Sequence, residues 1–284
     1  MNVGGKNAMP VSPRFFSARP RIAVNVSGSG EAVIFLHGVG TTRTSWDAQL
    51  PFFQNTHLAA AWDARGYGDS DDYDGPLDFA GDFSRDLANV LDGLGVESAH
   101  VVGLSMGGLI AQCFYFAYPD RVATLVLAHT FPSFAALGEK FVSQFVTTRV
   151  QPLLDGGSPA DTATATVQAL LGPNASEESR RHFHQSLCAL RKEPYTRTLQ
   201  GLVAQDAPGE LEDIRVPTLV LTGEHDRLSP PVISHAMSGR IADSELTIIP
   251  DCGHLSNIER PAKFNAIVHA FVTRHAGIAT ARDN

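Results

Sequence analysis

A serine between glycines is the most reactive arrangement in this sequence, in the run G-L-S-M-G at Gly103–Gly107. An apolar strand is predicted to end just before this run, and a helix is predicted to begin just after Ser105. The two glycines let the strand and the helix approach closely while the serine takes a strained conformation. The hydroxyl of Ser105 would then be exposed at the end of the strand, so we predict that Ser105 is a nucleophile.

A serine nucleophile needs a general base, and eleven histidines compete for this role. We predict His254, because it follows the apolar strand Leu246–Ile249 and would lie at the same sheet edge as the serine. His129 also follows a strand, but it lies where a helical insertion should begin. His37 comes directly after a buried strand, where a histidine more often braces the loop through hydrogen bonds.

The acid that orients the base is predicted in the loop after the strand Thr218–Thr222. Asp226 would accept the Nδ1–H of His254 and stabilise the imidazolium that forms during the reaction. Glu224, in the same loop, has the same chemistry, but Asp226 lies deeper in the loop and fits better. The alternative role for Asp226 is to cap a helix that begins near Leu228.

Backbone N–H groups must stabilise the carbonyl oxygen where it gains negative charge. The loop His37–Gly40 follows an apolar strand, and its glycines allow an N–H to face the pocket. We predict that the donors are the N–H of Val39 and the N–H of Met106, the residue after the nucleophile.

The strands that position these residues are short and continuously apolar, which is typical of a sheet covered on both faces. They are predicted at Ile22–Val26, Val33–Leu36, Leu58–Trp62, Ala99–Val102, Thr124–Ala128, Thr218–Thr222 and Leu246–Ile249. Helical periodicity lies between many of them, as in Phe83–Leu94. This alternation predicts an α/β fold with a doubly wound, mostly parallel sheet.

One long segment, 131–208, has no convincing strand and is predicted to be a helical lid. The core would then comprise 21–130 and 209–275. We expect an irregular leader at 1–20, which lacks the features of a signal peptide, and a frayed tail at 276–284. Trp46 and Phe131 are predicted to be pocket or packing residues.

The composition fits a globular enzyme, with 43% hydrophobic and 18% charged residues among 284. The net charge of −8 and the absence of a basic stripe argue against nucleic acid and an anionic membrane surface as partners. The longest apolar stretch, Val101–Ala117, is shorter than a typical membrane span. Cys113, Cys188 and Cys252 form no CxxC, which argues against a disulfide framework or a zinc knuckle and fits a reducing cytoplasm. A homo-oligomer is left open.

Several motifs together resemble the α/β-hydrolase superfamily, over roughly 21–272. They are His37-Gly38, Asp63–Ser70, Gly103–Gly108, Gly223–Asp226 and Gly253-His254. The order serine, aspartate, histidine is also the order of that fold. Within the superfamily the chain is most similar to 3-oxoadipate enol-lactonases and related lid-bearing esterases, through Ser45–Leu50, Gly103–Gly108 and His254–Pro261. The resemblance implies that the Asp63–Ser70 loop is structural and that Arg65 ties it down through neighbouring carboxylates.

The predicted reaction is hydrolysis of a carboxylic ester or a lactone, including an enol-lactone, as a small-molecule substrate. His254 would take the Ser105 proton during attack, and water would release the acid from an acyl-enzyme. No metal or organic cofactor is expected. Activity should rise with pH as His254 loses its proton.

Two alternatives stay open, a different reaction on the same triad and a ligand sensor, and a third, dehalogenation or epoxide opening, is excluded. The same triad could hydrolyse a carbon–carbon bond or carry out perhydrolysis, although carbon–carbon hydrolases of this fold usually have a longer glycine-rich stretch than His37–Thr41. Dehalogenases and epoxide hydrolases of this fold place aspartate where Ser105 stands. A ligand sensor could retain the triad. Seven basic and seven acidic residues between 131 and 207 leave the charge of the substrate undecided.

Overall fold

The structure, a computed structural model, describes residues 12–17 and 19–277. Its centre is one eight-stranded sheet with the strand order β1-β2-β4-β3-β5-β6-β7-β8. The strands are β1 (Arg14–Phe16), β2 (Ile22–Ser27), β3 (Ala32–Leu36), β4 (Leu58–Trp62), β5 (Ala99–Leu104), β6 (Val122–Ala128), β7 (Thr218–Gly223) and β8 (Ser244–Ile249). From β4 to β8 all neighbouring strands are parallel, whereas β1 and β2 join the sheet antiparallel. The predicted fold class is confirmed.

Helices cover both faces of the sheet. They are α1 (Leu50–Phe53), α2 (Phe79–Leu94), α3 (Met106–Ala117), α4 (Glu139–Phe145), α5 (Gln151–Leu154), α6 (Ala163–Leu170), α7 (Glu177–Cys188), α8 (Lys192–Ala204), α9 (Pro231–Arg240), α10 (Ser256–Glu259) and α11 (Pro261–Arg274). Alternate residues of a strand face opposite sides of a sheet. In β3, Ile34 packs into the hydrophobic core with α2 and α3, and Val33 and Phe35 pack into the core on the other face. This explains why the central strands are apolar throughout.

Residues 131–208 contain five helices, α4 to α8, and no strand. A short π-helix, Val146–Val150, joins α4 to α5. The segment leaves the sheet after β6 and returns to it at β7, which is the neighbouring strand. That this segment forms a lid separate from the core stays a prediction. None of the helices in 12–17 and 19–277 is long and apolar enough to cross a membrane.

The predicted irregular leader is wrong at one place, because Arg14–Phe16 forms the edge strand β1. It pairs with Ile22–Val24 and buries Phe16 against the sheet. A strand of three residues with two exposed side chains has too little pattern to be recognised in the sequence. Residues 1–11 and 18 of the leader and 278–284 of the tail lie outside the described residues.

We predict that the fold loses stability in acid, because two histidines, His57 and His100, are buried. Their ring centroids are 6.2 Å apart, and His100 Nδ1 lies 2.9 Å from the Thr124 hydroxyl. Burial lowers the pKa of His57, and it lowers the pKa of His100 to about 4. As the pH falls below about 6.5, the unfolded chain therefore gains protons at these residues before the folded chain does. The free energy of unfolding should fall between pH 6.5 and 4.

The variant His100→Asn removes one of these titrating groups and should make the protein less sensitive to acid. The protonation difference at one such histidine costs up to about 2 kcal/mol at pH 5. We expect the fall in Tm between pH 7 and pH 5 to shrink by a few degrees in the variant. His235→Asn, at an exposed position in α9, is the control and should keep the wild-type dependence. Equal acid dependence in all three proteins would contradict the prediction.

Candidate active site

Ser105 stands at the junction between β5 and α3, in a backbone conformation that residues other than glycine seldom adopt. Its φ is +57°. A Cβ on Gly103 would lie 2.2 Å from the Gly107 carbonyl oxygen, and a Cβ on Gly107 would lie 2.1 Å from the Leu36 carbonyl oxygen. Both glycines are therefore required for the close approach of strand and helix. The sharp, strained turn that the sequence predicted is present.

The three residues predicted to form the triad are in hydrogen-bond contact. His254 Nε2 lies 2.9 Å from Ser105 Oγ, and His254 Nδ1 lies 2.9 Å from Asp226 Oδ2. Because an ionised carboxylate only accepts hydrogen bonds, Nδ1 carries the proton and donates it. Nε2 is then left to accept the Ser105 O–H. This arrangement can remove a proton from the serine as it attacks a carbonyl carbon.

Asp226 is fully buried and accepts hydrogen bonds from several directions. Oδ1 accepts from the N–H groups of Leu228 and Ser229, at 2.9 and 3.0 Å, and Oδ2 accepts from the Ser229 hydroxyl at 2.9 Å. Burial by itself would raise the pKa of Asp226, but the charges and hydrogen bonds of His254 and His129 outweigh it and hold the pKa well below its usual range. Asp226 therefore both caps the following turn and contacts the histidine.

The rival acid, Glu224, lies elsewhere. It is exposed, and its carboxylate accepts the N–H of Asp251 at 2.8 Å. Of the two acids in this loop, only Asp226 contacts His254 in the described chain.

The loop that carries His254 is held by the segment between β6 and β7. The N–H of His254 donates to the Leu170 carbonyl oxygen at 2.8 Å. The buried carboxylate of Glu259 accepts from the N–H groups of Gly172 and Gly253, at 2.8 and 3.0 Å. Residues 170–172 therefore help to fix the position of the histidine.

The predicted oxyanion donors lie on two elements beside Ser105. A Cβ on Gly38, which precedes Val39, would lie 3.4 Å from the Ser105 Cβ, so the loop packs against the serine. Met106 is the first residue of α3, where an N–H has no partner within the helix. In the ranges that the structure describes, neither the Val39 N–H nor the Met106 N–H donates a hydrogen bond. Their role as oxyanion donors stays a prediction.

His37 braces this loop, as the sequence predicted. Its Nε2 accepts the N–H of Ala64 at 3.0 Å, so its Nδ1 carries the proton and donates to the Gly38 carbonyl oxygen at 2.8 Å. Burial lowers the pKa of His37, which keeps the ring neutral.

A cavity of about 380 Å³ begins at the Val39–Gly40 loop and extends between the helices of the segment 131–208. Most of its lining residues are apolar, and half of the lining residues come from α4, α6 and α7, among them Phe141, Phe145, Leu170, Phe183 and Leu187. A cavity of this kind is typical of a small-molecule site.

Two arginines, Arg149 and Arg227, line this cavity, and none of its lining residues is Asp or Glu. Arg149 lies in the π-helix and donates to the Thr166 hydroxyl. Burial lowers the pKa of Arg149. Within 12–17 and 19–277 neither arginine has a carboxylate within salt-bridge distance. The segment is neutral by count, but the charge that faces the cavity is positive.

Trp46 and Phe131, predicted as pocket or packing residues, lie in the core. The fully buried Trp46 ring lies 5.0 Å from the Phe35 ring and 5.8 Å from the Phe264 ring. Phe131 packs edge-on against Phe134 with ring centroids 5.5 Å apart. Neither lines the cavity. The aromatic residues that do line it lie on α4, α7 and α8, where sequence periodicity alone does not distinguish core from cavity.

Arg65 is structural, but its partners differ from the expected ones. It binds Asp86 at 2.7 Å and Asp82 at 3.0 Å, and both of these belong to α2. The carboxylates of its own loop, Asp63 and Asp69, bind Arg43 instead. The loop is therefore held by two arginines, and the sequence indicated only one.

A second histidine, not predicted from the sequence, also binds Asp226. His129 Nδ1 lies 2.9 Å from Asp226 Oδ2, and His129 Nε2 lies 2.7 Å from the Ser256 hydroxyl. His129 directly follows β6, so its position at the carboxyl edge of the sheet was the available signal. By residue type His129, Asp226 and His254 could bind a metal ion. The separations of 2.9 Å are hydrogen-bond distances, and they are shorter than the ~3.3 Å between ligand atoms around a tetrahedral zinc ion.

Known proteins match nearly the whole chain. The sequence pattern of the alpha/beta hydrolase family matches residues 33–267. The 3-oxoadipate enol-lactonase 2 of Acinetobacter baylyi is 28% identical over 262 residues, which cover 89% of this chain and 94% of that protein. The 2-hydroxymuconate semialdehyde hydrolase of a Pseudomonas species is 28% identical over 279 residues, or 94% and 95% of the two chains. A thermophilic esterase from Thermogutta terrifontis has a TM-score of 0.83 at 25% identity, with 94% and 99% covered.

Proposed function

The chain belongs to the alpha/beta hydrolase family, and from this premise we propose that it is a serine hydrolase that cleaves a carboxylic ester or a lactone. One observation carries the proposal: Ser105 Oγ, His254 and the Asp226 carboxylate form a continuous chain of hydrogen bonds. The names of the relatives support the reaction class, since one is called an enol-lactonase and another an esterase.

The proposed mechanism begins when His254 takes the proton of Ser105 and the serine oxygen bonds to the carbonyl carbon. The N–H groups of Val39 and Met106 hold the oxyanion, and Asp226 stabilises the imidazolium. His254 then gives its proton to the leaving alcohol or enolate. Water, activated in turn by His254, breaks the acyl bond to the serine and releases the acid. Each step uses side chains or backbone groups of this chain.

Purified protein should be assayed on short p-nitrophenyl esters and on a panel of small lactones. We expect repeated turnover, and an acyl adduct on the peptide that contains Ser105 when a slowly deacylating ester is used. The second candidate is carbon–carbon bond hydrolysis, which the name of one relative favours. Turnover of a vinylogous diketone but of no ester or lactone would select it. Peroxide-dependent turnover alone would indicate perhydrolysis, and tight binding with at most one turnover would indicate a sensor.

We further propose a cytoplasmic location, because Cys113, Cys188 and Cys252 are all free thiols. Burial raises the pKa of the Cys113 thiol to about 12. Burial also raises the pKa of Cys252, beside the histidine, so this thiol is protonated and does not compete with Ser105.

The positive charge in the cavity favours a substrate that carries a carboxylate at some distance from the bond that is cleaved. Arg149 is the donor that we propose for this group, since it is half-buried, lines the cavity and has no carboxylate partner in the described ranges. Arg149→Met should therefore lower kcat/KM for a monoester of a dicarboxylic acid by about 10- to 100-fold, the equivalent of one charged hydrogen bond. Its kcat/KM for a neutral butyrate ester should change little.

Steady-state kinetics on the two esters measure this difference. Arg181→Met, at an exposed position in α7, is the matched control and should leave both substrates unaffected. If Arg149→Met slows the neutral and the anionic ester equally, Arg149 supports the cavity wall and does not select the charge of the substrate.

A further inference from the structure

Asp226 is shared between two imidazoles that are arranged in the same way. Oδ2 lies 2.9 Å from Nδ1 of His254 and 2.9 Å from Nδ1 of His129. The far nitrogen of each ring then meets a serine hydroxyl, Ser105 in one case and Ser256 in the other. The site therefore holds two chains of serine, histidine and one common aspartate.

The second chain does not provide a second nucleophile. The Ser256 side chain is fully buried at the start of α10, and neither Ser256 nor His129 lines the cavity of about 380 Å³ described above. His129 also makes no hydrogen bond with Ser105. Its ring packs edge-on against the His254 ring, with centroids 5.5 Å apart, and its hydrogen bond to the triad is made with Asp226.

His129 is held firmly in this position. Its backbone N–H donates to the Leu221 carbonyl oxygen at 2.7 Å, and its φ is +52°, in the left-handed region. A non-glycine residue keeps such a conformation only where its surroundings determine it. Burial lowers the pKa of His129, although Asp226 opposes this effect, so the ring is neutral and donates Nδ1–H to the carboxylate.

The other ionisable groups around this cluster are few. Glu259 in α10 is bound to three backbone N–H groups, of Gly172, Gly253 and Leu255. The Cys252 thiol precedes His254 by two residues and is buried. Asp251 and Arg260 pair with each other, and Arg227 is exposed beside Asp226. None of them contacts the Asp226 carboxylate, so His129 and His254 are its two titratable partners in the described chain.

We propose that His129 is a positioning residue that shares the Asp226 carboxylate with His254 and so limits how strongly that carboxylate attracts the proton of His254. The inference rests on the proposed function, in which His254 is the base. An N–H group that donates to a carboxylate stabilises its negative charge, so the carboxylate attracts other protons less strongly. Without that donor, Asp226 stabilises the imidazolium of His254 more strongly. His254 then stays protonated, and inactive as a base, up to a higher pH.

The test compares the pH dependence of kcat/KM for an ester in wild type and in variants of His129. His129→Leu fills most of the volume but removes the donor, and its acidic limb should move up by about 0.5 to 1 pH unit. His129→Asn places an amide N–H where Nδ1 was and tolerates the positive φ, so its limb should lie close to that of wild type. Ser256→Ala keeps the hydrogen bond between His129 and Asp226, so it should shift the acidic limb less than His129→Leu does. If His129→Leu does not fold, His129→Ala takes its place.

The outcomes separate a positioning role from a merely structural one. Loss of activity at every pH with an unmoved limb in His129→Leu or His129→Ala overturns the proposal, and so does a limb that moves down. A limb that His129→Asn fails to restore also overturns it. Ser105→Ala is assayed in parallel: if it retains activity, the proposed function has failed, whereas an inactive Ser105→Ala with unmoved limbs refutes only the role of His129.

Discussion

The variant Ser105→Ala should lose about a million-fold in kcat on any ester or lactone that the wild type hydrolyses. The loss is this large because the oxygen that forms the acyl-enzyme is removed. His254 then has no serine hydroxyl from which to take a proton. The residual rate should come from the backbone N–H groups and from substrate binding alone. The fold should be retained, because the change deletes one hydroxyl whose only hydrogen bond within the described ranges is with His254 Nε2.

The measurement is kcat by steady-state assay, with Tm as a check that the variant is folded. Ser238→Ala is a matched control, since the Ser238 hydroxyl on α9 has one hydrogen bond in the described part of the chain, with the Ser244 hydroxyl. It should keep wild-type activity. Activity above about 1% in Ser105→Ala, in a preparation free of wild type, would mean that another group attacks the substrate.

The variant Asp226→Asn should lose about 10⁴-fold in kcat and should also be less stable. The catalytic loss follows from the tautomer of His254. An amide N–H facing His254 Nδ1 makes that nitrogen the acceptor, so the proton moves to Nε2, which can then no longer take the proton of Ser105. The carboxylate is surrounded by donors from Leu228, Ser229, His129 and His254, so an amide in its place sets donor against donor. An unsatisfied buried group costs about 1–3 kcal/mol.

The comparison is with Glu224→Gln, which makes the same chemical change two residues away on the same loop. Glu224 is exposed and accepts one backbone N–H, so this variant should remain active with a Tm close to that of wild type. The measurements are kcat and Tm of both variants. Equal losses in the two variants would show that the loop, and not Asp226 itself, is what the activity requires.

Much of the fold could be predicted because the central strands are buried on both faces and carry an unbroken apolar signal. The prediction fails for Arg14–Phe16, because a three-residue edge strand depends on the strand that it pairs with and not on its own pattern. The helices of 131–208 could be predicted as a group. Which of their faces line a cavity depends on how they pack against the sheet, and this is why Phe141 and Arg149 were not recognised.

The candidate triad could be predicted because each member follows a strand of a parallel sheet, and such strands end at one edge. The same rule applies to His129, but its position at the start of the helical segment concealed it. Trp46 shows the opposite failure. A large aromatic residue near a motif suggests a pocket, but whether it lines the pocket or fills the core is decided by distant partners such as Phe264.

The strands β6 and β7 are neighbours, so the whole helical segment between them leaves the sheet and rejoins it at adjacent points. In evolutionary terms, a segment attached in this way can diverge, or be exchanged between related enzymes, without altering the register of the sheet. The exchange is constrained where the segment meets the histidine loop. The Leu170 carbonyl oxygen receives the N–H of His254, and the Gly172 N–H binds Glu259. A helical segment that is exchanged to change substrate specificity must therefore keep the turn at residues 170–172. Without this turn, His254 would be displaced.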